Sequence, residues 1–379
     1  MNFWIDQEYG LNSSNSISYY GKGVFELILL VYIWSKKESR HILLLMFVFL
    51  LFPLLWFVFS NNFIVQGKTF QQVFMIIKEG NKYMFPIIIF MAIKSMQLDL
   101  KYTKPVFEAV YIFSALIVLV SFLSNWTYFH TYGGERFGYK PPLATQNEIT
   151  FFWMIGVIYF VQKLLSKKNI VNVIILFLVM LASMFLGTKA VLLFGVCLAL
   201  FVVVFLIRDR NVKALIFISM LIIITAVFYF SGLYDFFFDI YKEKGIWYAV
   251  TSKRNVLLTE EALPMLKSWS WYNYLIGGAV DKFPVTEMDI IDLFLFGGVV
   301  GSVLYYWLLF KTIFHFSKNN YIGWFLVSQY FLIGGLAGHV FASGINAIYL
   351  ALTSYYLQKE QLSPAPCLSG RQAPKGEVI

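Results

Sequence analysis

Three short groups of residues in this sequence have the types and spacing that could do chemistry. The first is Gly133-Gly134-Glu135-Arg136-Phe137-Gly138-Tyr139-Lys140-Pro141-Pro142. Glycines around an arginine and aromatics make a close-fitting loop that can bring a guanidinium against a polyanion. The planar fork of Arg136 suits a phosphate bidentately, and Lys140 adds a point charge. The plainer alternative is an exposed turn whose Arg136 pairs with Glu135 or with lipid headgroups. The second group is Thr251-Ser252-Lys253-Arg254-Asn255. A basic pair where a helix begins adds to the dipole and free N–H groups there, which favours an anion; ordinary headgroup anchoring is the alternative.

The third group is Glu287-Met288-Asp289-Ile290-Ile291-Asp292-Leu293, followed by Phe296-Gly297-Gly298-Val299-Val300-Gly301. Three acids opening an apolar helix cost several kcal/mol if buried without partners. Glu287 shares a helix face with Ile291, as Asp289 does with Asp292. A carboxylate held near lipid is the kind of group that serves as a general base. Capping by acids beside the helix dipole accounts for Asp292, but less readily for both Glu287 and Asp289. Lys189, after the tight turn Leu186-Gly187-Thr188, and His339, in Ala337-Gly338-His339, are either interfacial anchors or contacts to a substrate. No Gly-rich phosphate loop, nucleophile elbow or metal-spaced His/Cys set occurs. The histidines (His41, His130, His315 and His339) are scattered, so neither a metal nor a cofactor is expected.

These groups must be positioned by elements of one kind. Of the 379 residues 59% are hydrophobic, 20% aromatic and only 13% charged, half the charged share of a soluble domain. The 40 Phe and 24 Tyr carry more apolar surface than a soluble core could bury. Uncharged apolar runs such as Ile42–Phe59 and Val171–Leu186 match the hydrocarbon thickness of a bilayer. An all-α polytopic membrane protein is therefore expected. About eleven helices are predicted, near 20–34, 42–59, 83–98, 105–125, 144–163, 170–186, 189–207, 214–231, 289–310, 321–337 and 339–357. Cys197 lies in an apolar run and Cys367 in a polar stretch, so no disulfide is expected. Residues 1–20 are polar and carry no visible cleavable signal.

The net charge of +9 is distributed as membrane topology, not as a nucleic-acid surface. Alternate loops gather 17 of the 30 basic residues, Lys36, Lys37, Arg40, Lys104, Lys163 and Lys311 among them, with six acids. The positive-inside rule then puts the amino terminus outside and the carboxyl terminus in the cytoplasm. Residues 1–357 read as one transmembrane domain, with external loops at about 126–143 and, between helices 8 and 9, at 232–288. Loops that long are usually functional or disordered. Within the second, 253–271 has apolar residues at Val256, Leu257, Leu263, Leu266 and Trp269, the pattern of an amphipathic helix on the membrane surface. Residues 358–379 read as a disordered cytoplasmic tail. The stretch LSPAPCLSGRQAPKGEVI differs sharply in style from the chain before it, which opens the reading that it is foreign to it.

Eleven or so spans, a long external loop, an Arg-containing loop before it, and the order SKRN, YLIGGA, EMDIIDLFLFGGVVG together resemble the Wzy-type O-antigen polymerases. These are related to the O-antigen ligases among membrane glycosyltransferases of GT-C-like fold. In the ligase branch a histidine opens the helix ahead of the spaced glycines. Glu287 or Asp289 stands there in this chain, which favours polymerase. The resemblance implies transfer of a growing glycan from undecaprenyl pyrophosphate onto a lipid-linked repeat unit, at the external face of the bacterial inner membrane. It implies Arg136 and Arg254 on the diphosphate, Lys140, Lys189, Lys253 and His339 near substrate, and Glu287 or Asp289 as base. Tyr139, Trp269, Trp271 and Tyr272 would face sugars, although such aromatics also mark interfaces. A chain-length regulator is a further implied partner. The alternatives are an O-antigen ligase and a flippase of lipid-linked sugars; against the latter, no internal repeat is visible and the charges crowd one face.

Overall fold

The computed structural model describes residues 17–59, 69–131, 137–143, 146–206, 232–251, 254–278, 285–336 and 338–362, with scattered positions between 209 and 229. Arg136, Lys253, most of the helix expected at 214–231 and the tail beyond 362 lie outside the described residues. Among those described the fold is all-α, with a single isolated antiparallel bridge between His130 and Tyr139.

Among the described residues the first part of the chain holds α1 (Ile17–Ser35), α2 (Arg40–Phe59), α3 (Thr69–Met96), α4 (Leu100–Leu123), α5 (Gln146–Ser166), α6 (Ile170–Met184) and α7 (Lys189–Phe201). A π-helical turn, Val202–Leu206, extends α7. After the described gap come α8 (Leu233–Thr251), α9 (Arg254–Leu257), a π turn over Leu258–Ala262, α10 (Leu263–Ser268) and α11 (Trp271–Ile276). Three apolar helices follow: α12 (Asp289–Lys311), α13 (Tyr321–Leu336) and α14 (Gly344–Leu362). Among the described residues, four helical stretches are long and apolar enough to cross a membrane: Leu100–Leu123, Glu148–Ser166, Lys189–Leu206 and Asp289–Lys311. Gly23–Ser35, Arg40–Leu55, Ile170–Met184 and Tyr321–Leu336 are shorter apolar helices.

Helix α5 runs through the centre, with Phe151, Phe152, Trp153, Ile155 and Phe160 fully buried. Tyr111 of α4 stacks on Phe152 at 4.3 Å and donates its hydroxyl to the Phe152 carbonyl at 2.9 Å. α14 packs against α3 and α5, and α12 against α2. The outward faces are apolar too: Leu123 is 82% exposed, Ile170 70% and Phe113 65%. A surface of that kind is stable against lipid and is consistent with membrane association.

Two expected boundaries moved for physical reasons. α3 starts at Thr69, not near 83, and carries Lys78, Glu79 and Lys82 inside the helix. Those charges do not break it, because Lys82 Nζ pairs with both Glu79 oxygens at 2.7 Å and Asn81 donates to Glu26 Oε2 at 2.8 Å. α14 starts at Gly344, not 339, because the preceding residues form a hairpin whose N–H groups are taken elsewhere. The stretch expected as one surface helix over 253–271 is also divided. Its apolar residues Leu258, Leu266 and Trp269 gather with Ala262, Val285, Leu295 and Phe294, so this face packs on α12.

The carboxyl end of α5, the amino end of α4 and the carboxyl end of α14 meet in one polar network. Lys163 pairs with Glu108 at 2.6 Å, Tyr159 donates to Glu108 at 2.8 Å, and Gln162 and Ser166 donate to Glu360 at 2.7 and 3.0 Å. The opposite end of the bundle gathers the amino ends of α7, α9 and α12 and the hairpin before α14.

Candidate functional site

Where α8 gives way to α9, Arg254 turns inward and is only 8% exposed. Its Nε donates to the Glu287 backbone carbonyl at 2.8 Å, and Nη2 lies 3.7 Å from Glu287 Oε2. A longer contact, 3.5 Å, runs from Nη1 to the Thr251 carbonyl at the end of α8. Burial pushes the guanidinium's pKa down, against Glu287, Asp289 and Asp292, which push it up. An arginine keeps its charge under these conditions. The result is a fixed, largely desolvated cation joined to one residue through both its backbone and its side chain.

Glu287 is unusual in its own right. It adopts φ 55°, in the left-handed region that a non-glycine residue enters at a cost of about 1–3 kcal/mol. Its side chain is 46% exposed, so the carboxylate faces outward while the backbone is gripped. Met288 closes the bend: its N–H donates to Thr286 Oγ1 at 3.2 Å.

The two aspartates that follow are differently employed. Asp289, 5% exposed, accepts three backbone N–H groups: His339 on Oδ1 at 2.8 Å, and Val340 and Phe341 on Oδ2 at 2.6 and 2.8 Å. Asp292, 2% exposed, accepts on Oδ1 the N–H of Val285 at 3.1 Å, the N–H of Thr286 at 2.8 Å and the Thr286 hydroxyl at 3.0 Å. Each aspartate thus fastens a loop to the start of α12, a task for which buried N–H groups otherwise lack a partner. The hairpin held by Asp289 contains two consecutive left-handed residues, Gly338 (φ 63°) and His339 (φ 60°). Gly338 lies so close to the Glu287 carbonyl that a Cβ there would stand 2.1 Å from the oxygen.

The spaced glycines have a separate structural reason. At Gly298 (φ 64°, ψ −166°) α12 kinks through a conformation open essentially to glycine alone. The end of α11 docks into that kink, and the carbonyl of Leu295, freed from the helix ladder, accepts the Gly278 N–H at 2.9 Å. Gly277 faces Phe296 in the same contact. The segments YLIGGA and FGGVVG therefore meet back to back, which their sequence separation conceals.

The remaining candidates fall in two neighbourhoods. Lys189 Nζ donates to the Ala249 carbonyl and stands 4.3 Å from the Phe237 ring centroid, tying α7 to α8. Tyr139, 7% exposed, donates its hydroxyl to Asn125 Oδ1 at 3.0 Å and its N–H to the Phe185 carbonyl at 2.8 Å. Lys140 donates its N–H to the Phe129 carbonyl at 2.8 Å, so residues 137–143 are pinned to the α4 and α6 ends. Trp269 packs near Phe294 at 5.9 Å, whereas Trp271, at 75% exposure, is open and Tyr272 is beside it. The structure thus joins Arg254, Glu287, Asp289 and the His339 backbone. Sequence reasoning missed Thr286 and Gly338, whose roles depend on partners far along the chain. No group of three or more His, Cys, Asp or Glu arranged to hold a metal occurs among the described residues.

The chain matches no protein-family model, no curated protein and no solved structure. Its function therefore has to be argued from this geometry and from the sequence.

Proposed function

We propose that the protein is a polysaccharide polymerase of the bacterial inner membrane. It would transfer a growing glycan from undecaprenyl pyrophosphate onto the next lipid-linked repeat unit, at the external face. The reading includes about eleven spans in a GT-C-like arrangement, the amino terminus outside and the carboxyl terminus in the cytoplasm. The observation that carries it is the joining of a buried guanidinium, Arg254, to an outward-facing carboxylate on a strained backbone, Glu287. A fixed cation beside an accessible base is what glycosyl transfer from a lipid diphosphate requires.

In this mechanism the acceptor hydroxyl oxygen attacks the anomeric carbon of the donor. Glu287 takes the hydroxyl proton as the new glycosidic bond forms. The bond from the anomeric carbon to the diphosphate oxygen breaks, and undecaprenyl pyrophosphate leaves with the electron pair. Arg254 stabilises the charge that develops on the leaving diphosphate, and Arg136, Lys140 and Lys253 add cationic character around it. Such a leaving group needs no further activation. Trp271 and Tyr272 offer faces for sugar rings.

Three observations support this reading over its alternatives. By the resemblance, Glu287 or Asp289 stands where a ligase would carry histidine. The charged groups of the candidate site, Arg254, Glu287, Asp289 and Asp292, gather where α9 and α12 begin, whereas a flippase would need such groups spread along a path. The polar network of Lys163, Glu108 and Glu360 is separate from these groups and lies where α5 and α14 end. The test is replacement of Arg254 or Glu287 by alanine in cells that make the glycan. Loss of polymer with membrane insertion intact is expected; normal-length polymer from both variants refutes the assignment.

A further inference from the structure

We infer that Asp289 is a positioning residue that holds Glu287 in its active conformation, and not itself the base; this rests on the polymerase reading of the Arg254–Glu287 pair. Its carboxylate is committed on both oxygens. Three N–H groups at 2.6–2.8 Å take up three of its about four acceptor sites, and the residue is 5% exposed. A substrate hydroxyl would have to displace backbone donors to reach it, and those donors would then be buried without partners.

What the carboxylate does instead follows from the chain that it grips. By holding the N–H groups of His339, Val340 and Phe341 it keeps Gly338 and His339 left-handed. That presses Gly338 against the Glu287 carbonyl from one side. Arg254 Nε holds the same carbonyl with a 2.8 Å hydrogen bond. Between the two, the Glu287 peptide has no room to relax from φ 55° to an ordinary conformation. The strain is thus kept by a contact made fifty residues away, and its consequence is to aim the Glu287 side chain outward beside the guanidinium. Backbone strain at a functional residue persists only where the surroundings over-determine it, as they do here.

The account makes Asp289 and Gly338 act through one residue. Asp289→Asn keeps the size but turns an N–H donor toward groups that are themselves donors. Gly338→Ala leaves the carboxylate untouched and instead pushes on the Glu287 carbonyl. Purified full-length protein would be followed by hydrogen exchange over 285–288 and 338–343, and by kcat and KM for lipid-linked donor. Either variant is expected to lose protection in both segments and to lower kcat by about 100-fold, the cost of displacing a catalytic group by an ångström, with KM unchanged. The double variant is expected to be no worse than the more damaged single one.

Unchanged protection at 285–288 in Asp289→Asn, or losses that multiply in the double variant, would overturn the proposal. Hydrogen exchange reads the clamp without turnover. A wild-type protein that makes no polymer but shows the coupled loss would therefore sink the polymerase reading and leave the clamp standing. If Asp289→Asn fails to fold, Gly338→Ala decides by the same exchange measurement.

Discussion

Replacing Gly298 with alanine tests whether the segment ending in α11 is anchored to the apolar helices by the kink in α12. At φ 64°, ψ −166° an alanine is strained by about 1–3 kcal/mol before any contact is considered. Its Cβ would also stand 2.4 Å from the Leu275 carbonyl carbon and oxygen and 2.5 Å from the Ile276 nitrogen. These are backbone atoms, so relief requires α11 to lift from α12. The Gly278 N–H to Leu295 bond then breaks, at a further cost of about 0.5–1.5 kcal/mol. Together the loss is about 1.5–4.5 kcal/mol, large enough to read by thermal unfolding in detergent. Gly277→Ala, whose Cβ would stand 2.1 Å from the Phe296 carbonyl oxygen, should give a similar loss, and the two should not add, because each undoes the same contact. Gly23→Ala is the control, since nothing lies within 4 Å of its Cβ position. There alanine should be neutral or stabilising by up to about 1 kcal/mol, as for an open helix position. If Gly298→Ala unfolds within about 0.5 kcal/mol of the wild type, the range of an unremarkable surface change, the docking of α11 into the kink is refuted.

Further outcomes follow from the same geometry. Glu287→Gln removes the proton acceptor and keeps the shape, so polymerisation should fall about 10²–10⁴-fold with little change in thermal stability, measured as glycan formed per unit of inserted protein. Arg254→Lys keeps charge but cannot serve the Glu287 carbonyl and carboxylate together; it should leave most of the activity loss of Arg254→Ala in the same assay. Lys189→Met should free α8 from the Ala249 carbonyl contact, seen as faster protease cleavage within 233–251 with the rest of the chain protected. At the other end, Glu108→Gln keeps an oxygen for the Tyr159 hydroxyl but sets an NH2 against the Lys163 ammonium in place of the ion pair; it should cost about 1–3 kcal/mol of thermal stability and leave the product's size distribution unchanged.

The apolar helices were legible because hydropathy and length speak directly to a helix that sits in lipid. What sequence hid was where charges have partners. Lys78, Glu79 and Lys82 lower the local hydropathy and delayed the expected start of α3, yet Glu79 and Lys82 neutralise each other within one turn. Residues 339–343 have a helical composition, but Asp289, fifty positions earlier, captures the N–H groups with which a helix would begin. In the candidate site the residue types were readable and their division of labour was not. Sequence set Asp292 apart as a helix cap but left Glu287 and Asp289 as equal candidates for a base; only their partners separate Asp289, tied like Asp292 to a loop, from Glu287, left facing outward. Of the apolar positions expected along 253–271, Leu266 and Trp269 pack on Phe294 and Leu295 of α12, whereas Leu263 is exposed and Leu258, Ala262 and Met265 take part instead, because the π turn shifts the inward face.

The central claim is that this chain joins lipid-linked repeat units into polymer. The most direct measurement is a surface-glycan gel from cells lacking the gene, with and without its restoration. The account predicts glycan carrying one repeat unit in its absence and a ladder when it is restored. Long polymer left on the carrier lipid would contradict it in favour of a ligase, and loss of even the single-unit product would contradict it in favour of a flippase.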